Sequence, residues 1–196
     1  ANNLKELVQQ LKGECPVVRV EHNPSLQPAT PAAMPLEPLG LGIEGMDRAA
    51  HALALAAAGG HHLLMVGPPG CGKTHLARQL PLLLPPLTTS ESLTITRIHS
   101  VAGEFDTSEP LLHQRPFRCA HHSCSGAALL GGGHTPKPGE ISLAHGGVLF
   151  LDELAEFPRR VLDLLRQPLE DGNVRLSRSR ETTVFPAAVT LVAATN

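Results

Sequence analysis

The chain contains no tryptophan and no tyrosine, and only five phenylalanines among its 196 residues. Proteins that hold nucleic-acid bases by stacking need aromatic platforms, and no obvious platform of that kind is present. An excess of positive charge is missing too. The 16 Lys and Arg stand against 18 Asp and Glu, and the net charge of −2 exerts no global pull on a polyanion. DNA remains open as a partner, because a ring of subunits grips phosphates with a few loop residues from each. No apolar run approaches the roughly 20 residues that cross a bilayer. No basic start, apolar stretch and small-residue cleavage site forms an export signal. No membrane partner is therefore expected, and the expected location is cytoplasmic. The four cysteines (Cys15, Cys71, Cys119 and Cys124) show no paired framework, which suits a reducing compartment.

What is there suits one buried core: 42% of residues are apolar and 17% charged. The chain opens on Ala1 and stops at Asn196 after an apolar run, so both ends are expected to be cuts in a longer protein. Leu4, Leu7, Val8 and Leu11 share one helical face that ends at Gly13, and 17–20 suits a short strand. Pro24, Pro28, Pro31, Pro35 and Pro38 then favour an extended linker. The expected organisation is a tail of a preceding domain over 1–21, a linker over 22–38 and the main domain over 39–196.

Within that domain the Ala-rich stretch 43–58 reads as a helix stopped by Gly59 and Gly60. The run 63–66 reads as a buried strand, followed by a Gly-rich turn and a helix that Pro81 soon disturbs. Residues 93–98 suggest another strand, and 102–146 reads as loops and short elements. Core strands are expected over 148–151 and 189–193, a helix over 154–169 and a hairpin over 173–186. Strands alternating with helices imply an α/β fold with a parallel sheet between helices.

Gly67, Pro68, Pro69, Gly70, Cys71, Gly72, Lys73 and Thr74 match G-x-x-x-x-G-K-[ST] in full, between an apolar strand and a helix. Glycines there let backbone amides and a helix N-terminus face phosphate oxygens. Lys73 is expected to bridge the β- and γ-phosphates of ATP, and Thr74 to ligate Mg²⁺. After four apolar residues come Asp152 and Glu153. Asp152 is expected to hold Mg²⁺ and Glu153 to polarise the attacking water. Asn196, at the end of the last strand, either orients that water or merely starts a turn. Cys71 sits in a positive backbone field that makes the loop a target for thiol reagents. Cys119, His121, His122 and Cys124 are all metal-ligand types, but four donors within six residues seldom reach tetrahedral positions. The two histidines are expected instead to order the insert by hydrogen bonds or to line the pore of a ring.

These pieces in this order resemble the AAA+ superfamily. The stretch 117–123, the glycines 131–133 and the run 136–147 that leads into the acidic strand narrow the likeness. They resemble the magnesium-chelatase-like AAA+ proteins and, within them, the ComM (YifB) group. The resemblance covers about 1–196 and is strongest over 59–79 and 115–196. It implies a P-loop AAA+ core with a family insert over 102–146, a pre-sensor hairpin over 173–186 and no lid domain in this chain. The preceding domain would be Lon-like. The resemblance also implies a cytoplasmic, hexameric ring ATPase that migrates DNA branches during natural transformation. Alternatives are the motor subunit of a chelatase-type complex and a nucleotide-dependent assembly module. Arg175, Arg178 and Arg180 on the hairpin then either meet DNA phosphates or are simply solvated. Two departures stand out: Ala120 precedes the His pair where the family usually has Pro, and the chain stops before the lid and the residues that usually supply the arginine finger and second sensor, a role for which none of Arg159, Arg160 and Arg166 is singled out.

Overall fold

The computed structural model describes residues 47–105, 111–133, 135–178 and 181–196. The tail and linker expected over 1–38 lie outside them, as do the first residues of the helix expected over 43–58 and the hairpin tip at 179–180. In chain order the elements begin with α1 (Asp47–Gly59), β1 (Leu63–Val66), α2 (Lys73–Leu83) and α3 (Thr89–Ala102). The insert then contributes β2 (Phe117–Ala120), α4 (Gly126–Leu130), β3 (Gly131–Gly132), β4 (Lys137–Pro138) and α5 (Glu140–Leu143). Last come β5 (Val148–Leu151), α6 (Arg159–Asp171), the hairpin β6 (Asn173–Arg178) and β7 (Glu181–Pro186), and β8 (Thr190–Thr195).

The main sheet is parallel, in the order β1-β8-β5-β2. Side chains on a strand alternate between faces, and here the alternation divides the core into two. Val148 and Phe150 of β5, with Val192 and Ala194 of β8, pack on Leu53 and Ala57 of α1 and Leu76, Ala77 and Leu80 of α2. Leu149, Leu151 and Ala193 face the other way, onto Leu129 of α4, Ile141 of α5, and Val161 and Leu165 of α6. All four residues of β5 are therefore buried, as a central parallel strand covered on both faces must be. Each of these fully buried large side chains contributes about 1.5–3 kcal/mol from the water it no longer touches.

Several expectations need correction. The sheet's fourth strand comes not from 93–98 but from 117–120, which reads in the sequence as part of a loop-rich insert and pairs with β5 from Phe117↔Val148 to Ala120↔Leu151. The strand expected over 93–98 is helical. Thr94, Ile95, Thr96 and Ile98 are β-branched and look strand-like, but the ends of the segment decide otherwise. The Thr88 side chain accepts from Glu91 N while the Glu91 carboxylate accepts from Thr88 N, and Gly103 closes the helix in a left-handed conformation. Its buried residues, Ser92, Ile95, Thr96 and Ile98, recur at helical spacing. The helix expected over 154–169 is a single 3₁₀ turn at Leu154–Glu156 followed, after Pro158, by α6. β1 is only partly covered: Leu63 and Met65 are half-buried against the core, while Leu64 and Val66 are exposed.

The insert is held together by backbone contact rather than by bulk. β3 and β4 pair antiparallel through Gly131↔Pro138 and Gly132↔Lys137, and the chain then crosses so closely that Gly139 has no room for a side chain. A Cβ there would lie 2.5 Å from Leu130 C and 2.6 Å from Leu129 O, and would also overlap Gly131 N. Arg118 of β2 adds a fork. Its Nε and Nη2 donate to Glu140 at 2.7 and 2.9 Å, and its Nη1 donates to Glu104 at 2.8 Å. Gly139→Ala is expected to lower stability by about 1–3 kcal/mol, since backbone must shift to admit the methyl. Urea unfolding of the two proteins checks this, and equal midpoints would count against the crossing being that tight.

Candidate functional site

Register decides which residues meet. Val66 of β1 lies opposite Thr195 of β8, Leu151 of β5 opposite Ala193, and Ala120 of β2 opposite Leu151. The residues just past these four strands therefore emerge side by side at the carboxyl edge of the sheet, where parallel α/β sheets bind ligands. They are the 67–72 loop, Asn196, Asp152 with Glu153, and His121 with His122.

The loop leaves β1 by one more ladder bond, from Gly67 N to Thr195 O at 3.2 Å. It turns through Gly70 and Gly72, whose φ values of 78° and 85° are left-handed and strain any residue with a Cβ. Gly72 caps α2 without a side-chain bond, so the first-turn amides of that helix have no capping oxygen and their dipole end faces an approaching anion. Lys73 folds back over the loop. Its Nζ donates to Gly67 O at 2.6 Å, to Pro68 O at 3.0 Å and to Asn196 Oδ1 at 2.9 Å, with Cys71 Sγ at 3.9 Å.

Thr74 Oγ1 donates to Asp152 Oδ2 across 3.3 Å, joining α2 to the end of β5. The other oxygen, Asp152 Oδ1, accepts from Glu153 N at 3.0 Å. Glu153 has φ 52°, the one left-handed backbone outside glycine among the described residues. Such a conformation costs about 1–3 kcal/mol and gathers at functional sites. It sends the carboxylate toward β2, where His122 Nδ1 is 2.9 Å away. A hydroxyl and a carboxylate converging this closely are hard oxygen donors of the kind that suit Mg²⁺, which keeps several waters and takes few protein ligands.

One cavity of about 350 Å³ is lined by Pro69, Gly70, Gly72, Lys73, Thr74, Asp152, Glu153 and Asn196. Gly67, Pro68 and Cys71 do not line it, but Lys73 Nζ reaches Gly67 O and Pro68 O and lies 3.9 Å from Cys71 Sγ. His75, the first residue past the motif, lines the same space and carries no motif signal that would single it out. A larger cavity of about 560 Å³ lies at the other end of the strands, near Gly147 and Thr190, and holds none of the motif residues.

The model of the family described as magnesium chelatase, subunit ChlI, matches residues 41–196. The chain belongs to this family. Competence protein ComM of Haemophilus influenzae is 54% identical over 157 residues, covering 79% of this chain and 30% of that protein. The YifB protein of Salmonella typhimurium is 52% identical over 152 residues, covering 78% and 30%. This chain thus spans about 30% of the length of the curated relatives it matches. Among solved structures, a magnesium chelatase BchI–BchD complex superposes with a TM-score of 0.59 at 22% identity, covering 76% of this chain and 51% of that one. The fold is the AAA+ fold expected from the sequence, and membership of the family supports nucleotide hydrolysis in general terms. No helix among the described residues is long and apolar enough to cross a membrane.

Of the other residues singled out, His121 and His122 meet Glu153 rather than ordering the insert alone. The register of β2 explains this, and the contact is hidden as long as β2 is read as a loop. The thiols of Cys119 and Cys124 take no part in that cluster. Arg175 is exposed on β6, Arg180 lies outside the described residues, and Arg166 pairs with Glu170 one turn along α6. Cys119 reaches solvent, but the packing around its sulfur and then the Asp152 charge push its thiol above the usual 9.0. Alkylation of Cys119 is accordingly expected to keep accelerating with pH past that value, since only the thiolate reacts, and Asp152→Asn is expected to bring the profile down in pH. Site-resolved labelling followed by mass spectrometry tests both points; a profile that levels off at or below 9 would contradict them.

Proposed function

We propose that this chain is the ATP-hydrolysing core of a ring-forming motor that acts on DNA. The observation that carries the hydrolytic part is the convergence of Lys73, Thr74, Asp152, Glu153 and Asn196 on one cavity beside an uncapped helix N-terminus. In this reading Lys73 exchanges the Gly67 and Pro68 carbonyls for β- and γ-phosphate oxygens of ATP. The loop amides from Gly67 to Thr74 close around the same phosphates. Thr74 and Asp152 hold Mg²⁺, which neutralises charge on the phosphates. Glu153 accepts a proton from the water as it attacks the γ-phosphorus in line, the bond to the bridging oxygen breaks and ADP leaves. Asn196, already within reach of Lys73, orients that water.

The work done with the energy rests on kinship. The 54% identity to a competence protein supports a part in competence; branch migration of DNA by a homo-hexameric ring during natural transformation is what the resemblance to that group adds to the reading. Residues 1–21 and 22–38 belong in this reading to a preceding Lon-like domain and its linker. The exposed Arg175 and the hairpin tip are the segment proposed to meet the DNA backbone, with a salt dependence that grows by about 0.9 in log–log slope per phosphate contact. The family match favours one other reading, a motor subunit of a chelatase-type complex, which predicts no response to DNA.

Steady-state ATP turnover by the full-length protein, with and without branched DNA, separates these. Glu153→Gln is expected to cut turnover about 10²–10⁴-fold while nucleotide binding persists, whereas Lys73→Ala loses binding itself. Stimulation by branched DNA that declines with salt supports the DNA motor, and turnover indifferent to every DNA would overturn it. Full turnover in Glu153→Gln would overturn the role given to that carboxylate.

A further inference from the structure

Two imidazoles and a carboxylate from separate stretches of chain meet beside the nucleotide cavity. Ligand atoms of His121, His122 and Glu153 all lie within 4.8 Å of one another. His122 Nδ1 is 2.9 Å from Glu153 Oε2, and His121 Nε2 is 3.8 Å from the same oxygen. Donors about 2.0–2.1 Å from a tetrahedral Zn²⁺ stand roughly 3.3 Å from each other, a spacing these two distances bracket. A small side-chain adjustment would equalise them.

A second observation points to a ligand. His122 Nδ1 is shielded from solvent and has no hydrogen-bond partner among the described residues, because its close approach to Glu153 is misaligned. A buried nitrogen without a partner calls for something to take its lone pair. His121 is held in place by Ser123: its Nδ1 lies 3.0 Å from Ser123 Oγ and accepts from Ser123 N at 3.4 Å, so that Nε2 is the ring nitrogen turned toward Glu153. The two rings, tilted with centroids 3.9 Å apart, brace each other. A cavity of about 370 Å³ lined by His122, Glu153, Glu156 and Asn196 provides entry and a further carboxylate on its wall.

We propose that His121, His122 and Glu153 form a site for a divalent transition metal of the Zn²⁺ class. Imidazole nitrogens favour such ions, whereas the all-oxygen pair Thr74–Asp152 favours Mg²⁺, so the two sites discriminate by ligand type. Filling the site engages the Glu153 carboxylate and withdraws it from the water it would polarise. That regulatory consequence rests on the role proposed above for Glu153; the metal site itself does not.

The test uses the full-length protein, free of any histidine tag, in excess Mg²⁺, without nucleotide for the binding titrations and with ATP for turnover. Zn²⁺ is titrated calorimetrically and Co²⁺ by visible absorption. One equivalent is expected to bind, with affinity roughly tenfold or more weaker in His121→Ala, His122→Ala and Glu153→Gln, and with a Co²⁺ spectrum free of thiolate charge-transfer bands. ATP turnover is expected to fall as Zn²⁺ fills the site and to recover with a zinc-selective chelator. Residual turnover of His122→Ala should not respond. Absence of binding, equal binding in wild type and all three variants, or thiolate bands would overturn the site. Specific binding that leaves turnover untouched would support the site and overturn the withdrawal of Glu153.

Discussion

The placement of β5 between β8 and β2, in register and buried on both faces, is the constraint on which the remainder of the molecule depends. A strand with two buried faces accepts only apolar side chains, and Val148, Leu149, Phe150 and Leu151 supply four in succession. A slip of one residue would turn Phe150 and Leu149 to the wrong clusters at once. The same register that satisfies the core also positions the residues just beyond the strand. Asp152 and Glu153 are delivered between the 67–72 loop and the His pair because the last apolar residue of β5 is where it is.

At that edge polar groups approach one another across the cleft. Lys73 is drawn onto loop carbonyls and Asn196, Thr74 onto Asp152, and Glu153 toward His122. The contacts of Lys73 with Asn196, Thr74 with Asp152 and Glu153 with His122 each join two different elements, so the arrangement depends on the whole sheet rather than on any one loop. Every one of them is a polar contact at or near the surface of an open cavity, where water weakens it. They are contacts that an anion or a cation of higher charge can displace, which is the property a nucleotide cleft requires.

The insert between α3 and β5 has a structural logic of its own. Gly139 passes against the backbone of Leu130 and Gly131, and Arg118 forks onto Glu140 and Glu104. The first fixes the crossing of β3 and β4, the second ties α5 and Glu104 to β2, and β2 leads into His121 and His122 beside Glu153. A glycine-rich stretch that looks like an irregular loop thus becomes the support of a side chain in the candidate site.

What the sequence determined by itself was local. The phosphate loop between strand and helix, the apolar strand ending in Asp152 and Glu153, the hairpin over 173–186 and the strand that leads to Asn196 all carry their signal in contiguous residues. Each is set by sterics and periodicity that need no distant partner. Sequence alone misleads where partners beyond the segment decide. β-branched residues at 94–98 suggest a strand, yet the Thr88–Glu91 cap and Gly103 fix helical ends. The four residues of β2 are too short and too mixed in polarity to announce a strand, and they become one only by pairing with β5. The meeting of His122 with Glu153 belongs to the same class. Its residues are distant in the chain and adjacent only through that pairing, so the tertiary structure alone decided it, because register, unlike propensity, is a property of two strands and not of one.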